Sequence, residues 1–253
     1  MQNKRGRKRT KSTKKQKNRL LRFIKYLFLY IPLSFIAISA LLVFVLKWVP
    51  VYCTPLMVIR SAEHITDKTF KTYKTWKPIE KISGNMQMAV MASEDTRFLE
   101  HNGFDWVEID NAIDASKRGR RLRGASTISQ QTAKNVFLFP SRSWVRKGLE
   151  AYFTVGIELI WGKERILEVY LNVAEMGKGI YGAEAAANQL FQKSAQKLTS
   201  RESALIAACL PSPVMHRANS PSVYVNSRAS HIQALMDMIE LPEWLKNGKK
   251  VKK

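Results

Sequence analysis

The chain has 253 residues, 45% hydrophobic and 25% charged, enough for one packed domain with extra segments. Its net charge of +22 sits mostly at the ends, with twelve Lys or Arg and no acid in residues 1–25 and five lysines in residues 246–253. The 25 basic residues left for the body face 20 acids, so the charge describes solvated or lipid-facing tails and no nucleic-acid partner is expected. Two cysteines, Cys53 and Cys209, and four scattered histidines exclude a disulfide framework and zinc-type spacing, and no metal ligands are assigned.

In chain order, a basic cytoplasmic tail (1–25) precedes an apolar stretch. Tyr26 to Leu46 reads YLFLYIPLSFIAISALLVFVL, without a charge. About 20 apolar residues cross the roughly 30 Å hydrocarbon core of a bilayer. The run is longer than the roughly 7–15 residues of a signal-peptide core, so residues 26–48 are read as an uncleaved transmembrane anchor. Positive charge before the span places the N-terminus inside and the rest of the chain outside. Residues 49–66, punctuated by Pro50 and Pro55, are expected to form a juxtamembrane stalk.

From residue 67 to 245 the pattern is mainly α. Helical spacing covers Met86–Phe98, Asp105–Arg118, Ser126–Val136, Trp144–Trp161, Lys163–Asn172, Gly182–Phe191 and Val223–Ile239. The basic, glycine-bounded stretch 117–124 reads as a mobile loop. Thr199-Ser200-Arg201-Glu202 is a capping box opening a helix that Pro211 closes, and Cys209 within it is read as a small core residue. No alternating strand pattern of useful length appears. Residues 246–253 form a basic C-terminal tail.

Three clusters interrupt the apolar faces. Glu94, Phe98 and His101 fall on one side of a helix continued to Gly103, although a Glu-Asp pair is equally compatible with a solvated face. Ser126, Gln130 and Lys134 align at i, i+4, i+8, with Thr127, Gln131 and Asn135 alongside. Neutral donors ending in a cation suit a ligand rich in hydroxyls and carrying phosphate, whereas an ordinary exposed face favours Lys and Glu. Arg142, Arg146 and Lys147 lead to Glu150, and Arg146–Glu150 at i, i+4 is also compatible with a surface pair.

These segments, in this order, resemble the peptidoglycan glycosyltransferase family. The resemblance rests on Glu94-Asp95-x-x-Phe98-x-x-His101-x-Gly103 and on Gly124-x-Ser126-Thr127-Ile128-x-Gln130-Gln131-x-x-Lys134-Asn135. Arg146-Lys147-x-x-Glu150 and Lys163-x-x-Ile166-Leu167-Glu168-x-Tyr170-Leu171-Asn172 complete it. The same domain opens class A penicillin-binding proteins. Here little chain follows the motifs, so the monofunctional branch of the family is expected.

The resemblance implies a mainly α, lysozyme-like, two-lobed helical domain behind one N-terminal transmembrane helix. It implies polymerisation of lipid II into β-1,4-linked glycan with release of undecaprenyl pyrophosphate, on the outer face of a bacterial cytoplasmic membrane. Glu94 matches the general base and Glu150 a second functional carboxylate. Ser126, Gln130, Gln131, Lys134, Asn135 and Arg142 match residues that contact sugar and pyrophosphate. No cofactor is obligatory, although a divalent cation such as magnesium assists some members. Lipid II, the growing glycan, the membrane and other wall-synthesis proteins are the expected partners. Leu149 stands where many members carry Lys, and of the family's paired arginines only Arg228 is present. A lysozyme-type hydrolase would also employ two carboxylates, but it needs neither an anchor nor a cation cluster of pyrophosphate size. A non-enzymatic scaffold would tolerate loss of Glu94.

Overall fold

A computed structural model describes residues 22, 23, 25–67, 69–119, 126–141 and 143–250, the side chains of 247–250 excepted. Most of the basic N-terminal tail, the greater part of the glycine-bounded loop, and Arg142 lie outside the described residues. The chain forms two units, residues 1–45 and 46–253.

In the first unit a π-helical turn, Tyr26–Tyr30, leads into α1, Ile31–Leu46. Together they make one apolar stretch of 21 residues with mean hydropathy 2.5, long enough to cross a membrane. Its serines return their hydroxyls to the helix backbone, Ser34 Oγ to Ile31 O at 2.9 Å and Ser39 Oγ to Ile36 O at 3.0 Å. That satisfies both donors without water, as a hydrocarbon environment requires.

The second unit is mainly helical, with most of its helices in two groups. The expected stalk contains a helix, α2 (Pro55–Glu63), because Thr54 accepts the Met57 N–H as N-cap and Pro55 occupies the first turn. Pro there is a start signal and not only punctuation. Helix α3 (Gly84–Glu94) packs with α9 (Ser200–Cys209) and α10 (Val223–Met236). Helix α5 (Ile128–Phe137) packs with α6 (Trp144–Ile160) and α7 (Lys163–Val173), and α2 lies on α5. Between them, α4 (Trp106–Lys117) buries none of its residues, and α8 (Ala183–Phe191) follows α7. The Thr199 capping box forms as expected, and Cys209 is buried in the core, its thiol pushed up to about 11 by burial.

The sequence pattern hid a small sheet. Strand β1 (Tyr73–Lys74) runs parallel to β3 (Ile180–Tyr181), which pairs antiparallel with β2 (Glu175–Gly177). Two- and three-residue strands are too short to display a period of two. Gly179 permits this junction: at φ +71° a Cβ would lie 2.4 Å from Lys71 O.

The chain end also belongs to the fold. Helix α11 (Glu243–Lys250) returns to α3, where Trp244 Nε1 donates to Gln87 Oε1 at 2.9 Å. The other end of the buried Gln87 amide donates to Ile79 O and Ile82 O, so one side chain ties α11 and the segment before α3 to α3.

Candidate active site

The helix carrying Glu94 stops at Glu94 itself. Asp95 turns out of helical conformation (φ −164°, ψ 78°), so Glu94, Phe98 and His101 do not share a helical face as the spacing predicts. The reason is that the Asp95 side chain is engaged by a distant segment and by the turn that follows it. The buried Asp95 carboxylate accepts the Ile128 N–H at 3.0 Å, at the N-terminus of α5, and faces His101 Nε2 at 3.0 Å. Gly103 N–H donates to His101 Nδ1 at 3.2 Å, so Nε2 carries the proton and donates to Asp95. Phe98 is buried and holds the turn against the core.

Gly103 is needed at the end of this turn. Its φ is +89°, and a Cβ would meet Thr154 Cγ2 at 2.7 Å. Its carbonyl accepts the Thr127 hydroxyl at 2.6 Å, joining the turn to the start of α5.

Asp95, His101 and Asp105 are buried with ligand-type atoms within 4.8 Å of one another. Those atoms already carry bonds: Asp105 Oδ1 accepts the Glu108 N–H and pairs with Arg97 at 3.1 Å. The trio acts as a buttress behind Glu94.

Helix α5 begins two residues later than the polar stripe suggests. Thr127 is its N-cap and Gln130 closes a capping box, Gln130 Oε1 accepting the Thr127 N–H at 3.0 Å. Ser126 therefore precedes the helix and is exposed, while Gln130 is buried with its carbonyl end engaged in capping. Thr-x-x-Gln is a capping-box signature that the polar-stripe reading passed over.

Gln131, Lys134 and Asn135 emerge toward α3 and α6. Gln131 Nε2 donates to Glu94 Oε2 at 3.0 Å, bridging the two helix groups. On the other oxygen, Ser93 Oγ lies 3.1 Å and the Arg228 guanidinium 3.9 Å from Glu94 Oε1. Sequence reasoning noted Arg228 only as a departure from the family pattern.

Glu150 is 3% exposed and both its oxygens are occupied, Oε2 by Arg146 and Oε1 by Lys147. The pair expected at i, i+4 thus exists, but sheltered and doubled. Arg146 Nε is buried with no partner among the described residues. Burial lowers the Lys134 pKa below the usual lysine range; Glu150 and Glu94 oppose the shift, and Arg146 and Lys147 add to it. A divalent cation does not fit at Glu150, whose oxygens already face two cations.

A cavity of about 420 Å³ opens beside these groups, lined by polar Lys134, Asn135 and Arg146 and by apolar Leu56, Leu138 and Pro140. Leu56 comes from α2, a contribution that no local pattern announces.

The strip after α5 divides. Phe137 stacks on Phe153 at 4.4 Å, while Phe139 is 66% and Trp144 91% exposed. Phe137 is therefore half-buried against α6, while Phe139 and Trp144 face outward.

Glu94 is held by the neutral donor Gln131, and the helix that carries Gln131 also brings Lys134 and Asn135 to a cavity with cationic and apolar lining, an arrangement suited to group transfer in a mainly α protein. Residues 62–237 match the transglycosylase family, and the chain belongs to it. It is 52% identical over 222 residues to the biosynthetic peptidoglycan transglycosylase of Bacteroides thetaiotaomicron, covering 87% of this chain and 88% of that protein. The protein of the same name from Bdellovibrio bacteriovorus is 52% identical over 201 residues, 79% of this chain and 80% of that one. That from Pseudomonas putida is 48% identical over 214 residues, 84% and 91%. The chain is a glycosyltransferase of peptidoglycan synthesis with the lysozyme-like helical domain of this family.

Proposed function

We propose that the chain polymerises lipid II into β-1,4 glycan strands with release of undecaprenyl pyrophosphate, Glu94 acting as general base on the acceptor's 4-hydroxyl. The observation that carries this reading is the placement of Glu94. Its carboxylate is held across the cleft by Gln131, on the same helix that presents Lys134 and Asn135 to the cavity. Sugar transfer from a pyrophosphate needs a base for the incoming hydroxyl and cations for the departing anion. Lys134 and Arg146 line the cavity, and the buried Arg146 Nε–H, without a partner among the described residues, is a donor suited to an anionic oxygen. Leu56, Leu138 and Pro140 offer the adjoining lipid an apolar wall.

Glu150 serves in this scheme by fixing Arg146 and Lys147, and Arg142 adds a further cation from the same segment. Because both oxygens of Glu150 face cations, it is not the second free carboxylate that a lysozyme-type hydrolase requires. The apolar helix anchors the enzyme in the bacterial cytoplasmic membrane, N-terminus inside and catalytic unit on the periplasmic face, where the substrate's pyrophosphate lies. Purified enzyme with labelled lipid II tests the assignment. Glu94→Gln should bind substrate but make no polymer, and most of the wild-type turnover in that variant would refute the base.

A further inference from the structure

Gln131 presents two chemically opposite ends to its surroundings, and one of them is governed by a residue outside the cleft. Tyr170, on α7, is 1% exposed, and its hydroxyl lies 3.2 Å from Gln131 Oε1. Burial raises the phenol pKa well above its ordinary value, and the charges of Glu94 and Asp95 raise it further, so the hydroxyl stays protonated and can donate. At the opposite end, Gln131 Nε2 donates to Glu94 Oε2 at 3.0 Å. A flipped amide would set its carbonyl oxygen against the carboxylate, two acceptors face to face, and would lose the bond to Glu94.

We propose that Tyr170 is a positioning residue for the reaction: its hydroxyl anchors the carbonyl end of the Gln131 amide, whose nitrogen is oriented by Glu94, and so holds in place the carboxylate that receives the acceptor's proton. The inference rests on Glu94 being the base. Tyr170 touches neither Glu94 through a hydrogen bond nor the cavity lining, so it acts through Gln131 alone. With Ser93 at the other oxygen, Glu94 is pinned at both ends of its carboxylate, and rotation about its last bond requires breaking one contact. A base held at fixed orientation loses little freedom on reaching the transition state.

The test is a double-mutant cycle on the full-length enzyme with labelled lipid II, using Tyr170→Phe, Gln131→Leu and the pair. Tyr170→Phe should lower kcat about tenfold, a part of the roughly hundredfold that a 1 Å misplacement can cost, with KM within about twofold of wild type. Gln131→Leu should reproduce that split, and adding Tyr170→Phe to it should change nothing further. A merely structural tyrosine would reduce the melting temperature and active fraction while leaving kcat per folded enzyme intact. Wild-type kcat in Tyr170→Phe, or an equal loss in both backgrounds, overturns the relay. Should Tyr170→Phe fold poorly, Gln131→Leu decides: unchanged kcat there also overturns it. Glu94→Gln is run in parallel. If it is inactive while Tyr170→Phe is unaffected, the relay alone fails; if it keeps its turnover, base and relay fall together.

Discussion

Replacing Glu150 by Gln separates an organising carboxylate from a reacting one. The native carboxylate is almost wholly buried and bridges Arg146 and Lys147, whose side chains are 19% and 43% exposed. The Arg146 half is sheltered and carries most of the energy, while the Lys147 half is screened by solvent. Removing one partner of a buried pair costs about 3–5 kcal/mol, and Gln retains an acceptor, so about 3 kcal/mol is expected. For a domain of this size that lowers the melting temperature by roughly 6–12 °C. The electrostatic effect reaches Lys134. Burial already lowers its pKa, and Glu150 is the largest contribution opposing that shift. A lysine with a lowered pKa loses its charge at lower pH than usual, so the alkaline limb of the rate profile should lie below the ordinary lysine range. Glu150→Gln should move that limb to lower pH still and reduce kcat. Thermal melts and polymerisation rates against pH read both effects. Wild-type stability together with an unmoved alkaline limb would refute the role of Glu150 as the holder of this cation set.

Other perturbations probe the remaining parts. Lys134→Ala and Arg142→Ala should lower kcat by roughly a hundredfold, more than they raise KM, because their bonds to the leaving group strengthen as charge develops; if steady-state kinetics show only a raised KM, these cations merely bind substrate. Gly103→Ala, forced into positive φ and against Thr154, should cost about 2–4 kcal/mol in denaturant melts; wild-type stability would show that the turn relaxes freely. Protein lacking residues 1–45 should still sediment weakly with anionic vesicles, and changing Phe139 and Trp144 to Ser should release it at unchanged melting temperature. By contrast Phe137→Ser, which breaks the stack on Phe153, should destabilise by about 3 kcal/mol or more. Equal vesicle binding by the Phe139/Trp144 double variant would remove this strip from the membrane surface.

The long helices were legible because each has an apolar face and a start signal. Trp144–Ile160 and Ser200–Cys209 lie within a residue or two of their sequence-derived bounds. Legibility failed where a side chain replaced a backbone partner. Nothing in the apolar spacing of Met86–Phe98 shows that Asp95 will accept the Ile128 N–H from a distant helix and so end α3 at Glu94. The break at Asp95 is a tertiary event, and it places Glu94 at a helix end facing the cleft instead of on a helix side. The helix at Pro55–Glu63 was legible in principle, since Thr-Pro is an N-cap followed by a favoured first-turn residue. Reading its prolines only as breaks concealed it.

Within the site, residue types pointed to the chemistry more reliably than to individual roles. A polar stripe on α5 drew attention to Ser126, Gln130, Gln131, Lys134 and Asn135 together, yet the cap at Thr127 divides them. Gln130 faces back to its own helix start, Ser126 stands before it, and the three that follow face Glu94 or the cavity. The division follows from the cap, which leaves Ser126 outside the helix and engages the Gln130 side chain at the helix start. Glu150 shows the complementary limit. At i, i+3 and i, i+4 from two cations it has the spacing of an ordinary surface cluster, and only its burial distinguishes it. A solvated carboxylate of that kind would leave Arg146 free to swing. A buried one holds Arg146 against the cavity wall beside Lys134, which is why this acid can be essential to transfer without ever touching the proton.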